Sequence, residues 1–287
     1  MKPGELRLRV DRTANLPSLP IVVTKIIAAV DDPRASVSRL NELIEQEPAL
    51  ATKMLRLANS AYFGRRNGIV SLSQCSLVLG FNTIRSLALS ASVQQLVLGT
   101  GVRHFDPHAF WRHSLGSGVG SRVLARKAGT DAEAAMAAGL VHDIGMLVLD
   151  VVCPKEFEEA LKLHQTGMPE LEAEKQVLGA THPEVGGWLA AKWKLPDSII
   201  AAISWHHQPG SAGAHEGLAS VVSLADQLTI ALDAGKPGGE VPEDCWRAAG
   251  LPYSDAGAIG EEFLQEWKLA EETMGGEGAG SEAGRAA

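Results

Sequence analysis

Ala138-Gly139-Leu140-Val141-His142-Asp143-Ile144-Gly145-Met146-Leu147-Val148-Leu149 is apolar or small at every position except one histidine and one aspartate. No Lys or Arg occurs from Ala128 through Pro154, so the Asp143 carboxylate has no basic neighbour along the chain. Leu140 and Leu147 fall one helical turn either side of Asp143, on the same face, which turns the aspartate inward. Asp226 repeats the situation in Val221-Val222-Ser223-Leu224-Ala225-Asp226-Gln227-Leu228-Thr229-Ile230. There Val222 and Ile230 share its face, and no Lys or Arg occurs from Leu195 through Gly235. A carboxylate buried without a cation or several donors costs several kcal/mol, or it takes up a proton. A divalent metal held by imidazole and carboxylate together removes that cost. Five histidines are spaced to help: His113, His142, His182, His206 and His207.

The bulk composition agrees with helices packed on helices. Hydrophobic residues make up 45% of the 287, aromatics only 5%, and the apolar mass is Ala, Leu, Val and Ile in long stretches. The formal charge of −8 argues against a sequence-independent nucleic-acid binder, which needs a basic face. Arg65 and Arg66, or Arg122, Arg126 and Lys127, are the local basic clusters, read as solvated helix surface. Cys75, Cys153 and Cys245 are far apart and form no CxxC pair, so they read as small buried or half-buried thiols. No uninterrupted run of about 18 apolar residues occurs, and the N-terminus lacks a basic-then-apolar signal pattern. The expectation is a soluble cytoplasmic protein with no membrane and no nucleic-acid partner.

Five segments follow from the punctuation. Residues 1–15 are polar and read as a loosely held lead-in. Residues 16–105 form a five-helix unit: Leu16-Pro17-Ser18-Leu19-Pro20 leads into a helix carrying Val22, Val23, Ile26 and Ile27 that stops at Asp31-Asp32-Pro33. The next helix starts near Ser36, and a third carries Leu50, Met54, Leu55 and Leu57 and terminates by Gly64. Two more are capped by Ser71 and Asn82. Residues 106–232 hold the candidate site. A helix from Phe110 to about Arg126 carries His113, and its Gly116, Gly118 and Gly120 imply close approach by a neighbour. Thr130-Asp131-Ala132-Glu133 and Thr181-His182-Pro183-Glu184 read as capping boxes. Pro196-Asp197 opens a helix that delivers His206 and His207 at its far end, and the Asp226 helix spans about 217–232. Residues 233–273 form a helical extension beyond a turn at 235–239, and 274–287 a disordered Gly/Ala/Ser/Glu tail.

His142 and Asp143 sit side by side on one helix, with Gly139 and Gly145 leaving room for a ligand. His206 and His207 at a helix end aim two imidazoles differently. The competing explanation pairs both aspartates with a distant arginine such as Arg112 or Arg122, which leaves the clustered histidines unexplained. His104, His108, His164 and His215 read as satisfied core or surface residues. Nitrogen and oxygen ligands without cysteine fit Fe, Mn, Ni or Zn better than Ca or Mg.

The order His113, His142-Asp143, Asp226 resembles the HD superfamily of metal-dependent phosphohydrolases. In its two-metal branch extra histidines bind a second ion; His182, His206 and His207 match them, with Asp143 as the bridge. Leu16-Pro17-Ser18-Leu19-Pro20, Leu55-Arg56-Leu57-Ala58-Asn59-Ser60-Ala61-Tyr62-Phe63-Gly64 and Ala191-Lys192-Trp193-Lys194-Leu195-Pro196 resemble the HDOD domain of bacterial signalling proteins, over roughly residues 16 to 230. The resemblance implies an all-α fold, an N-terminal helical bundle packed against an HD-like helical core. It also implies a regulatory output rather than an assured activity. The similar HD-GYP phosphodiesterases of cyclic di-GMP carry His-Asp-Ile-Gly-Lys, where this chain has Met146, and no Gly-Tyr-Pro follows its histidine pair.

The first expectation is therefore a signalling module with a dinuclear metal core, acting through a signalling protein partner or a nucleotide-type ligand. The alternative is a metal-dependent phosphohydrolase or phosphodiesterase acting on a nucleotide or cyclic dinucleotide. For it Glu174 and Glu184 are assigned surface solvation and helix capping, and no general acid emerges. A third reading is a core without ions.

Overall fold

The computed structural model describes residues 1, 3–13, 16–30, 34, 36–59, 68–236 and 240–274. Every regular element among them is helical. Helix α1 (Pro3–Arg12) corrects the expected loose lead-in. Leu6 and Val10, four apart, are fully buried, and Arg9 reaches Glu156 at 2.9 Å. Its polar composition hid a two-residue apolar stripe, which is all a short docked helix needs.

Helices α2 (Ile21–Val30), α3 (Val37–Glu45), α4 (Pro48–Ala58), α5 (Leu72–Leu79) and α6 (Phe81–Gly99) form the N-terminal bundle. Val22, Val23, Ile26 and Ile27 are all buried, as their spacing requires. Ser36 and Ser71 cap α3 and α5 by accepting from Arg39 N and Gln74 N. Asn82 is not a cap. The chain turns at Gly80, whose φ of +79° suits glycine, and α6 begins at Phe81, so α5 and α6 meet at 116°. Asn59 bonds both the N–H and the C=O of Ile69, at 3.2 and 2.8 Å, closing the chain on itself there. Gly64, Asp31-Asp32-Pro33, Arg65 and Arg66 lie outside the described residues.

The core comprises α7 (Pro107–Ala128), α8 (Ala132–Val141), α9 (Ile144–Val152), α10 (Pro154–Gln165), α11 (Glu170–Leu178), α12 (His182–Lys192), α13 (Asp197–Trp205) and α14 (Glu216–Asp233). The cap of α8 is Asp131, not Thr130: Asp131 accepts from Glu133 N and Ala134 N, while Glu133 turns to Arg122 at 2.9 Å. The Thr181–Glu184 capping box on α12 is present. Ala132–Val152 is long and apolar enough to cross a membrane, yet it is mostly buried inside the protein and broken at His142-Asp143.

Helices α15 (Glu243–Ala248) and α16 (Ala256–Met274) complete the described chain; 237–239 and 275–287 lie outside it. Met274 is not part of a loose tail. It is helical and buried, and its carbonyl accepts from Gln94 Nε2 and Trp111 Nε1. The α7 glycines admit neighbours as expected: a Cβ on Gly116 or Gly120 would lie 2.7 Å from Trp267 or 2.6 Å from Phe263 of α16. Two of the quoted motifs touch, since Trp193 Nε1 donates to Pro17 O at 3.3 Å. Arg126 and Lys127 pair with Glu266 and Glu262, so that basic cluster is neutralised. Cys75 and Cys153 are buried and Cys245 half-buried, all as free thiols.

Candidate metal centre

Four helix ends and two helix interiors bring His113, His142, Asp143, His182, His206, His207 and Asp226 together. His113 comes from the first turns of α7 and Asp226 from the middle of α14. His142 and Asp143 occupy the break between α8 and α9, rather than a continuous helix; Asp143 has ψ of 8° and its carbonyl accepts from Met146 N in a tightened turn. His182 opens α12, while His206 and His207 follow the last residue of α13.

Gly139 and Gly145 make no room for a ligand. A Cβ on Gly145 would lie 2.8 Å from Gly186 N and from the His182 carbonyl carbon, and closer to the His182 oxygen. A Cβ on Gly139 would meet Ser117 backbone in the same way. The glycines let α9 touch α12, and α8 touch α7, backbone to backbone. Ile230, expected on the buried face of α14, is 57% exposed, although Leu228 and Thr229 beside it are buried and Leu232 packs on the core.

Neither arginine of the competing explanation reaches the aspartates. Arg112 pairs with Asp233 and Glu271, and Arg122 with Glu133. The ion-pair partners of Asp143 and Asp226 among the described residues are histidines. Asp143 divides them by oxygen. Its Oδ2 lies 3.1 Å from His142 Nε2 and 3.5 Å from His113 Nε2; its Oδ1 lies 3.3 Å from His182 Nε2 and 3.4 Å from His206 Nε2. Asp226 Oδ1 completes the first group, 3.2 Å from His113. His207 Nε2 completes the second, 3.2 Å from His182 Nε2.

Second partners aim the rings. Nδ1 of His142 donates to Gly139 O and Nδ1 of His206 to Ile203 O, both at 2.8 Å, leaving each Nε2 directed into the cluster. Glu174 does the same for His182. It accepts from Nδ1 at 2.9 Å and from the backbone N–H at 2.7 Å, and is itself buried. This corrects the surface role expected of Glu174. Its place one turn before Leu178 on the buried stripe of α11 was the available signal. Glu184 does cap α12, and Lys175 neutralises it at 2.8 Å. His104 is satisfied by Asp150, and His108 and His164 are exposed.

Without an ion, the cluster holds itself together with protons. Burial pulls His113 down, but hydrogen bonds to Asp143 and Asp226 outweigh it and raise it to about 9. His142 is likewise raised to about 10 despite burial, chiefly by Asp143. His182 is held well above its ordinary value, burial notwithstanding, by Glu174 and Asp143. Burial and the neighbouring imidazoles push His206 down, and His207 down to about 3. Both aspartates are held below the usual carboxylate range by the histidines, against burial.

These histidine and aspartate groups could hold a divalent metal. His113, His142 and Asp226 form one group of convergent ligand atoms and His182, His206 and His207 another, with Asp143 between them. Ligand atoms each about 2.1 Å from an ion, at tetrahedral to octahedral angles, lie about 3.0–3.4 Å apart, close to the spacings here. His206 Nε2 is a buried nitrogen with no hydrogen-bond partner among the described residues, which an ion would satisfy.

The fold and this arrangement define an all-helical protein with a histidine–aspartate core. The HDOD domain model matches residues 16–209, and the chain belongs to that family. It is 26% identical over 236 residues, or 81% of its length, to an uncharacterized protein of Treponema pallidum, and spans 45% of that relative. A Shewanella amazonensis structure provisionally named a phosphohydrolase is 25% identical, with a TM-score of 0.76 over 95% of this chain and 97% of that one. An HDOD domain protein of unknown function from Geobacter sulfurreducens has a TM-score of 0.78 at 22% identity, over 95% and 98% of the two chains.

Proposed function

We propose that this chain is an HDOD signalling module whose core holds two divalent transition-metal ions, of Fe, Mn, Ni or Zn, and acts by binding a signalling partner or a nucleotide-type ligand. The observation that carries this reading is the division of Asp143, one oxygen toward each histidine group. His113, His142, Asp226 and Asp143 Oδ2 would hold one ion; His182, His206, His207 and Asp143 Oδ1 the other. Two dications against two carboxylates leave the centre net positive, so it favours an anion such as phosphate. Among the described residues, no Lys or Arg stands among the ion-pair partners of the seven, and Met146 packs against apolar core. A missing donor to developing charge commonly costs about 2.7–4 kcal/mol, or two to three decades of turnover, which favours holding over cleaving.

The complete ligand set with a bridging carboxylate favours, as a second reading, a phosphohydrolase or phosphodiesterase. Such ions would polarise a phosphate and lower the pKa of bound water. In that case Glu174 and the carbonyls of Gly139 and Ile203 keep three Nε2 atoms aimed.

Elemental analysis of protein purified without chelator should give two ions per chain, and Asp143→Ala should lose both while remaining helical. An ion-free parent protein would remove the first reading. Turnover of a nucleotide or cyclic dinucleotide at a few per second would replace it with the second.

A further inference from the structure

A cleft of about 310 Å³ opens beside His207, between α11, the start of α12 and the end of α13. Trp205 forms one side and is 40% exposed, directly before the buried His206 and the exposed His207. Pro183 and Leu171 add apolar surface, while Ser204 and Gln208 bring polar groups to the same walls. The charge of Lys175 is already spent on Glu184, which also accepts from Thr181 N. With Glu172 also on its wall, the cleft offers no unpaired lysine or arginine for a phosphate among the described residues. It offers a flat indole, hydrogen-bonding groups and, through His207, the edge of the candidate metal centre.

These parts divide a ligand in two. The anionic end belongs with the ions and the planar, neutral end with Trp205. At about 310 Å³ the cleft is large enough for one base and its sugar. We propose that this cleft binds the base of a nucleoside monophosphate, stacked on Trp205, with the phosphate directed past His207 to the centre. The inference rests on the reading of that centre as ion-binding.

Labelling the full chain with 5-fluorotryptophan tests it, since the resonance lost in Trp205→Ala identifies this indole among six tryptophans. In metal-loaded protein, AMP and GMP should shift that resonance. They should bind about 5- to 150-fold more tightly than ribose 5-phosphate, the increment that base–aromatic stacking supplies. Trp205→Ala should erase the increment and leave ribose 5-phosphate unchanged; Trp205→Phe should keep most of it. In chelator-treated protein, adenosine and guanosine should still move the Trp205 signal, because stacking needs no ion. Nucleotides that bind no better than ribose 5-phosphate, with the Trp205 signal unmoved by nucleosides, overturn the proposal. Nucleosides that stack in a protein found to hold no ions support the cleft and defeat the reading of the centre instead.

Discussion

Replacing Gly145 by alanine should uncouple the two halves of the site. The added carbon would start 2.8 Å from Gly186 N and the His182 carbonyl carbon, both backbone atoms that cannot swing aside. An ordinary contact needs about 3.4 Å, so α9 and α12 must part by at least about 0.6 Å; metal ligands tolerate about 0.2 Å. Asp143 precedes α9 and His182 begins α12, so the gap opens between Asp143 and the His182–His206–His207 group. His113, His142 and Asp226 keep their spacing. Overpacking of this kind costs about 1–3 kcal/mol, a fall in Tm of roughly 2–12 °C for a chain of this size. Thermal unfolding with parallel elemental analysis reads both effects, with the expected content dropping from two ions toward one. Gly257→Ala is the control, because nothing lies within 4 Å of its added carbon. A Gly145→Ala protein that melts within a degree of the parent and keeps two ions would refute the argument.

Glu174→Gln keeps the size but not the charge that fixes His182, and should weaken one ion about 10- to 100-fold, measured by competition with a chelator. Proton release should accompany loading. His113 and His142, raised to about 9 and 10, and His182 carry protons at pH 7 that coordination must expel, so affinity rises with pH until about 9 to 10. Titration calorimetry in buffers of different ionisation enthalpy measures that release, and a value of zero contradicts the pairing described. In ion-free protein the same raised histidines add stability that is complete below about pH 6.5 and lost as pH climbs through about 9 to 10. Asn59→Ala removes both bonds to Ile69 and should cost about 1–3 kcal/mol, visible in the urea midpoint.

Much of the architecture was legible because helices advertise themselves. Ser36 and Ser71 sit at real caps, the Val22–Ile27 stripe is buried, and the Thr181 box opens α12. The seven candidate residues converge, since an acid in an apolar helix has few tolerable surroundings. What escaped was tertiary. Glu174 looked solvated because α11 is mostly polar, and only the fold turns its buried edge to His182. The carbonyls of Gly139 and Ile203 carry no side-chain signal at all. Gly139 and Gly145 were read as space for a ligand, but the space is filled by backbone of α7 and α12. Asn82 and Thr130 offered plausible caps one or two residues from the true helix starts, where local chemistry is nearly degenerate.

Asp150, near the far end of α9, takes the backbone N–H of Arg103 at 2.7 Å and the His104 ring from the connection between bundle and core. Seven residues separate it from Asp143, about 10 Å along a helix. One short helix therefore ties the bundle-to-core connection, through Asp150, to the residue that stands between the two histidine groups.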